Sequence, residues 1–196
     1  MNIKRMLTII FFLMIGYAAA VATFVKDTHN AEAETITSET AADAADFAVI
    51  NEKQFVSMSV PEGDTTFKSY MDFRTITNTH SAQYKLQDKC YTDGTGMRKY
   101  NGDYCIAVGS YYADKIGERL KITLDSGTVF FAVVSDFKAD VHTDNTNRYT
   151  ELSNGNKNVL EFIVDTEELP YQTKQMGDCS YNGFEGNVEK IERIDE

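Results

Sequence analysis

The chain has no tryptophan, only 2 prolines and only 3 cysteines in 196 residues, and it is short of positive charge, with 19 Lys and Arg against 30 Asp and Glu. Each shortage excludes something. Nucleic-acid binding rests on Lys and Arg neutralising phosphate, so a net charge of −11 sets nucleic acid aside as a partner. Three cysteines with no CxxC pair among them exclude a structural zinc site of the usual spacing. Without Trp, any stacking on sugar rings falls to the 11 tyrosines, whose rings are apolar and whose hydroxyls take a polar partner. A chain that is 42% hydrophobic and 12% aromatic is too apolar to stay disordered. Its length excludes two large domains and suits one domain with a leader.

What is present begins with that leader. Lys4 and Arg5 precede an apolar run from Met6 to Val25, broken only by Thr8, Gly16, Tyr17 and Thr23. Positive charge stays on the cytoplasmic side while such a run enters the bilayer as a helix, which exports everything after it. Two fates stand for residues 1–33: a signal peptide, cut at Ala20-Val21-Ala22 or Ala31-Glu32-Ala33, or a retained signal anchor close to the ~20 residues needed to span a bilayer. The protein is then either held at the extracytoplasmic face of the membrane or secreted to the cell wall. Beyond residue 33 there remain 16 basic and 28 acidic residues, so the exported part carries −12. Residues 34–66, rich in Ala, Thr, Ser, Asp and Glu, read as a flexible linker. Outside the cell disulfides persist, and Cys90 and Cys105 bracket a turn-rich stretch that a bridge can close, with Cys179 left over; buried apolar thiols are the other reading.

From Tyr70 onward the pattern is β. Met71–Thr77 alternates as a first strand, Tyr104–Val108 is a short apolar run, and Leu120, Ile122 and Leu124 alternate with Lys121 and Thr123. Asp125-Ser126-Gly127 supplies turn chemistry for a return strand over Thr128–Ser135. Val159–Val164 and Val188–Ile194 complete the set. Many short strands with little helix predict a closed barrel or a sandwich. Between the hairpin and the strand at Val159 lie 22 polar residues, Phe137–Asn158, entered from Asp136 and carrying Lys138, Asp140, His142, Asp144 and Arg148. Loops of that length are functional or disordered. Oxygen-rich spacing over Asp136, Asp140, His142 and Asp144 suits calcium or another divalent cation, although an EF-hand's central Gly and closing Glu are missing.

Ile106-Ala107-Val108-Gly109-Ser110-Tyr111 through Ile116-Gly117-Glu118-Arg119-Leu120-Lys121-Ile122, the hairpin ending at Val134-Ser135-Asp136, and Glu161-Phe162-Ile163-Val164-Asp165 together resemble double-psi β-barrels of the three-aspartate (3D) type. That grouping includes the barrel of membrane-bound lytic transglycosylase A and is similar to rare-lipoprotein-A-like barrels. The resemblance covers about Ile106 to Asp165. It implies a six-stranded double-psi barrel over residues 67–196. Asp136-Phe137-Lys138-Ala139-Asp140 stands where the family has Asp-Thr-Gly-Gly, and Glu161 where it has Asp.

The resemblance also implies an activity on peptidoglycan. In a lytic transglycosylase one carboxyl group protonates the departing glycosidic oxygen and then accepts the proton of the muramyl O6, giving a 1,6-anhydro product with no cofactor. That group must hold its proton near neutral pH, which burial or neighbouring negative charge favours. Glu161 is assigned as this acid/base, with Asp136 and Asp165 as the other two acids of the site. Lys138, Asp140, His142, Asp144 and Arg148 are assigned to the substrate; Lys138 and Arg148 either hold a peptide-stem carboxylate or pair with neighbouring acids. The same scaffold without catalysis would be an envelope module that binds peptidoglycan or a protein partner.

Overall fold

A computed structural model describes residues 55–195. The leader expected over residues 1–33 and most of the stretch read as linker lie outside the described residues. Among the described residues no helix is long and apolar enough to cross a membrane. The fold is mainly β, with eleven strands and two short helices among the described residues. The strands are β1 (Phe55–Met58), β2 (Ser69–Asp72), β3 (Tyr91–Thr92), β4 (Arg98–Tyr100), β5 (Asp103–Val108), β6 (Arg119–Leu124), β7 (Val129–Phe137), β8 (Thr150–Glu151), β9 (Lys157–Asn158), β10 (Leu160–Val164) and β11 (Val188–Ile194). The helices are α1 (Ala82–Gln87) and α2 (Tyr171–Met176).

The main sheet has nine strands, three more than the six expected, in the order β1-β11-β6-β7-β5-β10-β2, with β4 also paired to β5 and β3 to β4. It is mixed. β5 runs parallel to β7 and antiparallel to β10, while β10 runs parallel to β2. No ladder joins the edges β1 and β2 among the described residues. The chain between them crosses from one side to the other: Thr65 N donates to Asn187 Oδ1 and its hydroxyl accepts from Val188 N, beside β11, while Asp64 O accepts from Lys157 N, beside β10.

The hairpin forms as the sequence predicts. Leu120, Ile122 and Leu124 are buried on one face of β6, and Gly127 takes the positive φ of 89° that the turn to β7 requires. β5 reads as an unbroken apolar run because it is covered on both faces. Ile106 and Val108 enter the main core, where Tyr104, Phe130, Phe162 and Phe184 meet as a ring cluster with centroids 4.4 to 6.1 Å apart. Cys105 and Ala107 face the other way, into a second cluster with Val133 and Ile163 that Met71, Phe73 and Leu86 of the β2–α1 segment cover.

Three expectations are corrected in detail. The strand read over Met71–Thr77 is β2, and it stops at Asp72, whose carboxylate caps a 3-10 turn over Phe73–Thr75 by accepting from Arg74 N. The sheet begins inside the stretch read as linker, because β1 supplies four backbone pairings to the open edge of β11. Its Phe55 and Val56 stay partly exposed, so no amphipathic pattern announces it. The polar stretch after β7 has structure of its own: a 3-10 turn over Asp140–His142 and the β8–β9 ladder.

Asp144 organises that stretch by accepting backbone N–H bonds from Thr146, Arg148 and Tyr149. The turn seats Asn147 against Gly109 so closely that a Cβ on Gly109 would lie 1.9 Å from the Asn147 carbonyl oxygen. Backbone blocks that Cβ on both partners, and overpacking of this kind costs about 1–3 kcal/mol or more. Gly109→Ala is therefore expected to lower the unfolding free energy by about 2 kcal/mol or more in urea titration, whereas Gly102→Ala, where nothing lies within 4 Å, loses only what its φ of 92° imposes.

Candidate functional site

The register of four adjacent strands builds the site. Glu161 on β10 lies opposite Ser69 on β2 and opposite Ala107 on β5, and Ala107 lies opposite Asp136 on β7. Ser69, Glu161, Ala107 and Asp136 thus form one row across one face of the sheet. Neighbouring strands are ~4.8 Å apart, which puts the Cα atoms of Glu161 and Asp136 roughly 10 Å apart over the methyl group of Ala107.

Asp136 owes its place in that row to a bulge. The β5–β7 pairing runs regularly to Ile106 opposite Val134, then shifts so that Ala107 meets Asp136. Ser135 is the extra residue, and its hydroxyl donates to Ile106 O at 3.3 Å in the buried gap. In unbroken alternation Ser135 would have stood beside Ala107 and Asp136 would have faced the aromatic core. With the bulge, Phe137 packs toward the core instead. Asp136 accepts from Phe137 N at 2.9 Å and from Gln83 Nε2 of α1 at 3.4 Å, and it lines a pocket of about 320 Å³ with Met71, Thr77, Asn78 and Ser81.

Glu161 is half-buried, and Ser69 Oγ lies 3.0 Å from its Oε1. The Asn158 amide is satisfied when its oxygen accepts from Ser69 Oγ at 2.7 Å and Lys138 Nζ at 3.0 Å while its nitrogen donates to Leu160 O at 2.7 Å. Ser69's single proton is then shared between Glu161 and Asn158. Lys138 is buried at 8% exposure. Burial pushes its ammonium down from 10.5 to about 8, against the pull of the Glu161 charge.

The other assigned residues are elsewhere. Asp165 is four residues along the strand, about 13 Å by strand rise. Arg74 holds it at 2.9 Å in a cluster that also takes in Asp72 at 2.6 Å and Glu167 at 2.8 Å. Asp140 is exposed and accepts from Ser110 Oγ at 2.8 Å, and His142 is exposed. Asp144 is committed to its turn: although burial favours its neutral form, the hydrogen bonds from Thr146, Arg148 and Tyr149 hold its carboxyl down to about 2. Arg148 donates to Thr146 Oγ1 at 2.7 Å and Ser59 Oγ at 3.1 Å. Among the five residues assigned to substrate, Lys138 interacts electrostatically with one of the assigned acids, Glu161. Among the described residues no three His, Cys, Asp or Glu side chains gather to hold a metal ion.

Ser69, Asn158, Ala107 and Gln83 went unread. Ser69 joins the site only through a parallel pairing across 92 residues, and no local pattern marks such a partner. Asn158 closes a polar stretch in which it looks like any other loop residue.

No family model, no curated protein and no solved structure matches this chain.

The two buried lysines set a pH dependence. Lys68, fully buried with Nζ donating to Thr66 O at 2.9 Å and Gly186 O at 2.7 Å, is also pushed down to about 8, chiefly by burial. For each lysine the folded value lies below the unfolded one, so from about pH 8 upward the unfolded chain holds more protons and stability rises with pH. The upper bound is about 3 kcal/mol per lysine. Unfolding free energy measured between pH 7.5 and 9.5 is expected to climb, and Lys138→Met to remove about half of that climb; a flat profile in the parent protein would contradict it.

Proposed function

We propose that this protein acts on cell-wall glycan outside the membrane, cleaving strands as a lytic transglycosylase does. The supporting observation is the placement of Glu161 and Asp136 on one face, flanking Ala107, at the two positions where 3D-type barrels keep their acids. The finer architecture, a double-psi barrel, is part of the same proposal, supported by the mixed order with its parallel β5–β7 and β10–β2 pairs. A leader that exports the domain, left tethered or cut, brings it to this substrate.

Glu161 is the acid/base. It protonates the glycosidic oxygen as the bond breaks, then accepts the O6 proton as the anhydro ring closes. Asp136, across the small floor of Ala107, stabilises the positive charge that develops on the sugar ring. A pair of carboxyls serves one glycosidic bond at separations of roughly 5–10 Å, which side chains rising from backbones ~10 Å apart can meet. Asp165, fixed by Arg74, is a structural acid.

Lys138 favours the second reading, a module that binds peptidoglycan without cutting it. Its buried ammonium is drawn to Glu161 and, through the Asn158 amide, is joined to Ser69, an arrangement suited to holding a polar strand in place.

Purified peptidoglycan incubated with the protein decides between them. Cleavage releases 1,6-anhydromuropeptides detectable by mass spectrometry, and Glu161→Gln is expected to cut their yield at least ~100-fold while leaving pull-down on sacculi intact. Binding without any anhydro product from the parent protein would reject catalysis and leave the binding module. Loss of product in Asp136→Asn with none in Glu161→Gln would exchange the two roles.

A further inference from the structure

The three cysteines are not equivalent. Cys179 is sealed in the main core, where burial pushes its thiol up. Cys90 and Cys105 meet across the second cluster with their sulfur atoms 3.4 Å apart. Cys105 is a fully buried residue of β5, two positions before Ala107. Cys90 follows α1 directly, is half-buried, and opens onto a pocket of about 510 Å³ beside Tyr84, Gln87 and Arg98.

Backbone around Cys90 is already fixed. The Arg98 guanidinium lies 4.2 Å from the centre of the Phe73 ring and donates to Gln87 O at 2.7 Å and Cys90 O at 3.1 Å. A disulfide needs its sulfurs ~2.05 Å apart, so the two must close by roughly 1.4 Å, within the reach of side-chain rotation. Cys90 is the thiol that an outside reagent meets first. The hydrogen bond from Cys105, followed by the charge of Arg98, pulls its thiol down against the effect of burial.

We propose that Cys90 and Cys105 are a redox-active pair that closes by exchange with an external disulfide, stapling the end of α1 to β5 behind Asp136. The Cys90 thiolate enters through the pocket side and attacks one sulfur of the external disulfide, whose other half leaves as a thiolate. Cys105 then gives up its proton and attacks Cys90 sulfur in the mixed disulfide, expelling the second half. Two cysteine thiols are oxidised, one external disulfide is reduced to two thiols, and the two protons lost from the cysteines end on the leaving groups. The staple fixes the helix whose Gln83 donates to Asp136. This holds whatever the protein does to glycan, since it rests on the sulfur geometry alone.

The test uses oxidised glutathione and the full chain, followed by alkylation in denaturant and intact mass analysis. One alkylated thiol per chain, on Cys179, and a Cys90–Cys105 linked peptide are expected. Reduction is then expected to lower Tm by roughly 5–10 °C, the effect of opening a loop of about 15 residues. The order of attack is read from the single variants: Cys105→Ser keeps one glutathione on Cys90, whereas Cys90→Ser leaves Cys105 unmodified in the folded protein. Three alkylated thiols after oxidation, or a linked peptide that contains Cys179, would overturn the proposal.

Discussion

β5 is the strand on which everything else leans. It is hydrogen-bonded on one side to β7 and on the other to β10 and β4, and it is covered above by the aromatic core and below by the β2–α1 segment. Where it is sealed on four sides, from Cys105 to Val108, the strand carries only small or apolar side chains, and its one carboxylate, Asp103, stands at its start paired to Arg119. Its neighbours inherit their faces from it. Because Ala107 is small, the carboxylates on either side of it stand over a shallow floor. Because Cys105 points the same way, the only thiol pair of the described residues lies beneath the same helix.

Charge is handled by segregation. Much of the acidic surplus lies on loops and strand ends, where turns and arginine absorb it: Asp144 nucleates a loop, Asp72 caps a turn, and Arg74 gathers Asp72, Asp165 and Glu167 into one partly exposed cluster. Pairs at such exposure contribute little stability individually. The scarce cations are spent differently. Lys68 and Lys138 are buried at a cost that backbone carbonyls, Asn158 and nearby acids offset only in part. Interiors that retain such a charge give up stability for placement, here of Gly186 in one case and of the Glu161 surroundings in the other.

Much of this was legible in the chain. The β6–β7 hairpin announced itself by strict alternation around Asp-Ser-Gly, and β5, β10 and β11 by apolar runs of strand length. Only the resemblance pairs Glu161 with Asp136, and the strand register sets the two in one row. What stayed hidden was non-local. β1 is held by backbone pairing with little burial, Ser69 reaches Glu161 through a contact across 92 residues, and Asp165 looked like a partner of Glu161 until Arg74 claimed it. In the acidic stretch after β7, spacing alone does not reveal that Asp144 accepts from three backbone amides and so shapes the loop.

The bulge at Ser135 carries a lesson about how such a site is inherited. The carboxylate of Asp136 reaches the Glu161 face through the bulged backbone that leaves Ser135 out of the ladder, and its chemical identity contributes nothing to that placement. Drawing Ser135 into the ladder would leave every side chain in the strand and yet turn the acid toward the aromatic core, exchanging it with Phe137. Side chains along β7 can thus change without moving the acid as long as the backbone keeps its bulge at Ser135. A comparison that aligns residues by kind and overlooks the inserted position would set the acid on the wrong side of the sheet.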